Sequence, residues 1–228
     1  MIRARLIVEG KTESKFISQL LAPYLLEKNI DCRAIAIDGN VEFQRTCRAI
    51  RDSMKEDPNA YISTMFDFYG IHDAWPGKKD VKDRFKTGAE ITSIEIGKIL
   101  NARTIEAVKD HLKDSSINMS RFKPYFQIHE FEALVFCDQN ILAKRIGANP
   151  NDAVFKGIDF NYPEMINDTR ETSPSHRIFK IFDQKGTSYN KTSTSIEIVK
   201  EIGIAPMRSV CPNFNFWLKE LESLKPLH

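Results

Sequence analysis

Apolar and polar positions along the first third of the chain switch between the period of a strand and that of a helix. Ala4-Arg5-Leu6-Ile7-Val8 is a short, β-branched apolar run that stops at Glu9-Gly10, and it reads as a buried strand. Over residues 13–28, Phe16, Ile17, Leu20, Leu21, Tyr24 and Leu25 recur at helical spacing, with Thr12 placed to cap the N-terminus. Cys32 to Ile37 reads as a second strand, stopped by Asp38-Gly39-Asn40. A second helix over 41–55 carries Phe43, Cys47, Ile50 and Met54, and Tyr61 to Phe66 forms a third strand ending at Asp67. Strand, helix, strand, helix, strand with short joints predicts a parallel sheet with right-handed crossovers.

After Asp67 the alternation stops. Residues 68–87 hold Gly70, Pro76, Gly77 and a charged run, the mark of a long insert or lid. Thr87-Gly88-Ala89-Glu90 fits a capping box that opens a helical region to about residue 113, with a break near Asn101. Phe122 to Ile128 predicts a fourth strand, whose Pro124 suits a sheet edge or the start of a strand. Glu130 to Phe136 fits either strand or helix. Further on, Ser173-Pro174 starts a helix through Phe182, and Ser193 to Ile202 forms another, ended by Gly203. Asn213 to Leu224 is amphipathic at helical spacing. The predicted class is α/β: a Rossmann-like core over 1–136, with a mainly parallel sheet flanked by helices, and a helical C-terminal portion over 137–228 packed on it.

Composition changes little in this picture. A chain of 228 residues, 42% hydrophobic and 28% charged, is an ordinary globular protein with no disordered signature. Its net charge of +2 makes no general case for nucleic acid, so any basic footprint must be local. One such run is Lys78-Lys79-Asp80-Val81-Lys82-Asp83-Arg84-Phe85-Lys86, five cations interleaved with two anions, whose bland reading is a solvated loop or helix face. The four cysteines, at 32, 47, 137 and 211, show no zinc-knuckle spacing and read as free thiols, with Cys32 and Cys137 in the core. No signal-peptide h-region and no spanning apolar stretch is present, so the expectation is a soluble, cytoplasmic protein with no membrane contact.

Acidic residues carry the candidate chemistry. Gly10-Lys11-Thr12 mimics the end of a Walker A loop, but Arg5 stands where that loop needs its first glycine, which argues against an ATP site. What remains at this turn is Glu9 at the carboxyl end of the first strand and Glu13 in the first turn of the next helix. Ligands of open α/β sheets sit at this edge, and Asp67 ends the third strand on the same side. Carboxylates meeting there repel unless protonated or neutralised by a cation, and oxygen donors without His or Cys suit Mg²⁺ or Mn²⁺. Each acid also has a bland explanation. The helix dipole favours Glu13, Asp67 suits a loop cap, and Lys11 stands near enough to pair with Glu9.

The segments Val8-Glu9-Gly10-Lys11-Thr12-Glu13 and Phe66-Asp67-Phe68-Tyr69-Gly70 together resemble the Toprim superfamily of topoisomerases, primases and nucleases. The Glu-Gly-x-Thr-Glu form is most similar to the overcoming-lysogenization-defect nuclease branch. The whole chain resembles a bacterial Toprim-like family of unknown function often encoded beside AAA-type ATPases in defence neighbourhoods. The blocks that carry this second likeness are Gln127 to Leu134, Ile166-Asn167-Asp168 with Glu171 to Arg177, and Cys211 to Leu218. The resemblance implies that Glu9 matches the superfamily's glutamate, a metal ligand or general acid/base, and that Asp67 matches the first aspartate of its Asp-x-Asp pair.

Tyr69 stands where the second aspartate belongs. Either another acid replaces it, with Glu130 and Glu132 in view, or the site takes one ion, or catalysis has been lost. His129 is a proton shuttle, a phosphate donor or a satisfied core histidine. Arg177 and Lys191 are placed on phosphate oxygens or on the surface, together with Lys11, Lys78, Lys79, Lys82 and Arg84 as contacts to a nucleic-acid strand. Phe214 and Trp217, at helical spacing, read as core. The expected activity is Mg²⁺- or Mn²⁺-dependent phosphodiester cleavage of DNA or RNA, with Glu9, Asp67 and Glu13 as catalytic residues. The alternative is a binding subunit of an ATPase complex that has lost catalysis. A homodimer is left open.

Overall fold

A computed structural model describes residues 1–88, 90–114, 116–166 and 172–227. Asn167, Asp168 and Glu171 of the second family block, and Ala89 of the expected capping box, lie outside them. Among the described residues five strands form one parallel sheet: β1 (Ile2–Val8), β2 (Ile30–Ala36), β3 (Ala60–Asp67), β4 (Phe122–Lys123) and β5 (Phe126–Gln127). The spatial order is β2-β1-β3-β4, with β5 continuing along β3 beyond β4. The break between β4 and β5 falls at Pro124, and this interrupted strand is the sheet edge, where a missing donor costs least.

Strand alternation sorts the side chains onto two faces. Ala4, Leu6 and Val8 of β1 enter one hydrophobic cluster and Ile7 enters the other. The second cluster is closed by α3 (Phe43–Glu56), α4 (Lys78–Lys86) and α5 (Ser93–Leu112). The first is covered by α1 (Lys11–Phe16) and α2 (Ala22–Leu26), joined by a π turn over Ile17–Leu21 where Pro23 has no N–H to donate back to Gln19. The C-terminal helices complete that layer: α6 (Gln139–Ile146), α7 (Pro174–Gln184), α8 (Lys191–Ile202), α9 (Ile204–Val210) and α10 (Pro212–Glu222). Ile196, Val199, Met207 and Trp217 share one cluster with Leu6 and Phe16, so the apolar core runs unbroken across the expected division at 136.

Several local expectations shift. Gly10, not Thr12, occupies the cap of α1, and Glu13 closes its capping box by accepting from the Gly10 N–H at 3.2 Å. The capping box of α5 is Thr92 with Glu95, and the helix passes Asn101 without a break. The 68–87 segment is not a free lid. Trp75 is 2% exposed and donates its indole N–H to Thr104 at 2.9 Å, while Phe68, Ile71 and Val81 are also buried. Residues 131–137 form a 3₁₀ helix (Phe131–Cys137). Phe214 and Trp217 are core, with Trp217 stacked on Tyr125 at 4.2 Å, and all four cysteines are free and buried. No described helix is long and apolar enough to cross a membrane.

Candidate functional site

The register of the sheet brings the acids together. Val8 of β1 pairs with Met65 of β3, so Glu9 and Asp67 emerge side by side at the carboxyl edge. The β3–β5 pairing continues past Asp67, with the Phe68 N–H donating to the Gln127 carbonyl and the Tyr69 N–H to that of His129. That extension carries Glu130 and Glu132 to the same place. Glu9, Gly10, Lys11, Thr12, Glu13, Asp67, Tyr69, Gly70, Glu130 and Lys191 line one open cleft of about 450 Å³.

Glu9 and Asp67 meet over Gly70. A Cβ on that glycine would stand 3.0 Å from Glu9 Oε2 and 3.5 Å from Asp67 Cβ. Gly70→Ala is therefore expected to push the Glu9 carboxylate aside. The colliding atom ends a flexible side chain, so stability should change by less than about 1 kcal/mol. Thermal melts beside divalent-ion titrations check this: a variant that binds ions as the wild type does would show that the Glu9 position is not critical.

Charge in the cleft is unbalanced. Among the described residues five carboxylates gather near Lys191, whose Nζ lies 3.0 Å from Glu132 Oε2, and Lys11 also lines the cleft. Burial, then Glu13 and Glu132, push Asp67 well above the usual carboxylate range. Burial and Glu13 also raise Glu9, while burial takes Glu132, which is fully enclosed, up to about 7. Burial alone would lower the Lys191 ammonium, but Glu132, Asp67 and Glu130 together hold it above its ordinary value. Lys191 opens α8, and a Thr12–Thr192 hydroxyl contact at 2.9 Å ties that helix end to α1 beside the cleft.

Two layers of acid can be told apart by what their oxygens already do. Glu130 accepts from the Ser175 N–H at 2.6 Å and the Ser175 hydroxyl at 2.8 Å, capping α7. Glu132 is held by Lys191 and by the Ser195 hydroxyl at 3.3 Å. Both are the expected replacement ligands, and both are committed to protein partners. By contrast, Glu9 and Asp67 accept no side-chain hydrogen bond from the described residues, and Glu13 uses one oxygen only. The oxygen-rich donor set Glu9, Glu13 and Asp67 fits a hard divalent cation in kind. Among the described residues no group of three or more His, Cys, Asp or Glu side chains already stands around one point.

The basic residues divide sharply. Lys11 is exposed at the cleft. Lys78 is buried, donating to the Ile71 carbonyl at 2.5 Å, and with Lys82 it pairs to Asp73, so these two anchor α4 rather than await a phosphate. Lys79 and Arg84 are exposed on the same short helix. Arg177 does not line the cleft, and its guanidinium donates to the carbonyls of Thr172, Val154 and Lys156. The structure thus gathers Glu9, Glu13, Asp67, Glu130, Glu132, Lys11 and Lys191, and leaves Arg177 outside.

Sequence reasoning alone does not single out Gly70 and Thr12 for the site. The only signal for Gly70 is its place directly after Phe68-Tyr69. Also unforeseen is Glu164, fully buried, which caps α10 by accepting from the Asn213 and Phe214 N–H groups at 2.8 and 2.9 Å. His129 is buried with its Nδ1 2.5 Å from the Tyr69 hydroxyl, and burial pushes the imidazole down to about 4.

Fold and cleft together define a three-layer α/β protein with a carboxylate site at the carboxyl edge of a parallel sheet. The chain belongs to the family described as Domain of unknown function (DUF4276), whose model matches residues 8–222. No curated protein and no solved structure matches it.

Proposed function

We propose that this chain is a Toprim-type phosphodiesterase that cuts DNA or RNA with Mg²⁺ or Mn²⁺. The observation that carries the reading is the meeting of Glu9, Glu13 and Asp67 in one cleft with oxygens to spare among the described residues, beside Lys191 and Lys11. Such a cluster is costly to build and is characteristic of sites that bind cations or move protons. When bound, the ion would supply the positive charge that acidifies a water and offsets charge on the leaving oxygen.

The chain's own residues account for the rest. Glu9, Glu13 and Asp67 hold the ion. Glu130 and Glu132 stand behind them, fixing the N-termini of α7 and α8, and thereby the position of Lys191. Lys191 is the fixed cation for a substrate phosphate, and exposed Lys11 extends that charge at the mouth. Anti-phage defence with an ATPase partner is the setting that the likeness to Toprim-like defence proteins favours. A second reading is a binding subunit of an ATPase complex without catalysis, favoured by Tyr69 in the place of an acid.

Nuclease assays with Mg²⁺ or Mn²⁺ titrated into wild type, Glu9→Ala and Asp67→Ala separate these. Loss of at least about 100-fold in each variant is expected. Cleavage that survives both substitutions rejects the site. Ion binding without turnover, with an ATPase retained on purification, selects the second reading.

A further inference from the structure

Tyr69 is the residue that the carboxylate reading leaves unexplained, since it removes an acid from the position beside Asp67. The structure gives it a different equipment. Tyr69 lines the cleft with Glu9 and Asp67, the residue is 38% exposed, and its hydroxyl lies 2.5 Å from His129 Nδ1. The two residues are joined twice, because the Tyr69 N–H also donates to the His129 carbonyl at 3.0 Å.

His129 is held in the left-handed region at φ 66°, uncommon outside glycine and often retained for function. That conformation comes one residue beyond β5, after Ile128, with the ring against the Tyr69 hydroxyl and Glu130 next in line at the cleft. Burial disfavours the charged imidazole, which then carries one proton, and with that proton on Nε2 its Nδ1 is left as an acceptor. In that tautomer the Tyr69 hydroxyl donates its one proton to His129. Its oxygen retains lone pairs and has no proton to give to the cleft.

We propose that Tyr69 takes the place of the missing carboxylate as a hydrogen-bond acceptor, holding the attacking water in line while His129 fixes the direction of its hydroxyl. This inference rests on the phosphodiesterase reading of the same cleft. A phenol oxygen whose proton is tied back to a neutral imidazole can orient a water without adding negative charge to the cleft. An aspartate at 69 would add a further carboxylate to an unbalanced set. The geometry thus provides an acceptor at lower electrostatic cost. Tyr69 is the water-holding residue and His129 a positioning residue behind it.

The test has two arms. In ¹⁵N-histidine-labelled protein, with five histidines and His129 assigned by its loss in His129→Gln, Nδ1 is expected unprotonated and Nε2 protonated. An Nδ1-protonated ring would overturn the inference whatever the protein's activity. In the second arm, Tyr69→Phe is expected to keep Mn²⁺ affinity within about twofold, because no ligand is removed, and to lower kcat by about 10- to 100-fold with KM little changed. A variant with wild-type kcat would overturn the role of Tyr69 and leave the metal site standing. A wild type that neither binds Mn²⁺ nor cleaves nucleic acid would overturn the site and the inference together.

Discussion

Replacing Lys191 with methionine should lower the melting temperature by about 4–12 °C at pH 8, and the loss should nearly vanish at pH 4.5. Lys191 is the cation that offsets charge on Glu9, Asp67 and Glu132, and Glu132 has no exposed surface. Breaking a buried ion pair costs about 3–5 kcal/mol, because a charge is left without a partner in a poor solvent. The lysine end is 47% exposed and partly screened, which brings the expected cost down to about 2–3 kcal/mol.

The pH dependence follows from the direction of the shift. Burial holds folded Glu132 at about 7 against an ordinary 4.5, so folding favours its protonated form. The stability linked to that proton is complete below about 4.5 and is lost as pH rises through 7. Without Lys191 the folded value climbs further, so the gap between variant and wild type opens at high pH. At pH 4.5 the acid is largely protonated in the folded state of both proteins. Melts at the two pH values decide the matter: an equal loss at both would mean that Lys191 acts through packing of its stem.

Asp67→Asn should move stability and function in opposite directions. Asp67 lies at the cleft edge of β3 with no hydrogen bond to its carboxylate from the described residues, and burial with Glu13 and Glu132 raises its proton affinity well above the ordinary value. The neutral amide removes that penalty and breaks no hydrogen bond among the described residues. The metal-free variant should therefore be more stable by about 1–2 kcal/mol, or roughly 2–8 °C. The gain should be larger at pH 8 than at pH 5, because a raised carboxyl loses its linked stability as pH climbs through the folded value.

Function should show the reverse. Mn²⁺ at a hundred times its Kd should stabilise wild type by about 2.7 kcal/mol, and the variant much less. Cleavage should fall at least about 100-fold. An acid kept where an amide would be more stable is the mark of a residue retained for chemistry. If Asp67→Asn destabilises the metal-free protein instead, Asp67 is a structural group and the carboxylate reading loses its centre.

Much of the architecture is legible in the sequence, and for local reasons. Short β-branched runs such as Ala4 to Val8, bounded by Glu9-Gly10, have few ways to bury themselves other than as inner strands. Helices at 3.6-residue spacing between them force a parallel sheet of one hand. Once that topology is fixed, Glu9 and Asp67 must leave the sheet at the same edge. Signals that depend on one or two residues fared worse. Thr87 with Glu90 and Thr92 with Glu95 match the same capping pattern, and the second pair is the one used. The 68–87 stretch looks loose in sequence because its anchor, Trp75, meets Thr104 almost thirty positions away.

Periodicity and turn residues were thus enough to place the acids on one edge. They were silent on which oxygens would remain available. Glu13, Glu130 and Glu132 are the same residue type, yet Glu130 caps a helix that begins 44 positions later, and Glu132 meets a lysine from farther still. Hydrogen-bond commitments of that kind arise when distant segments dock, so they belong to the packed chain rather than to its local pattern. The pairing of Tyr69 with His129 has the same origin: a strand alignment carries one side chain to another sixty positions away.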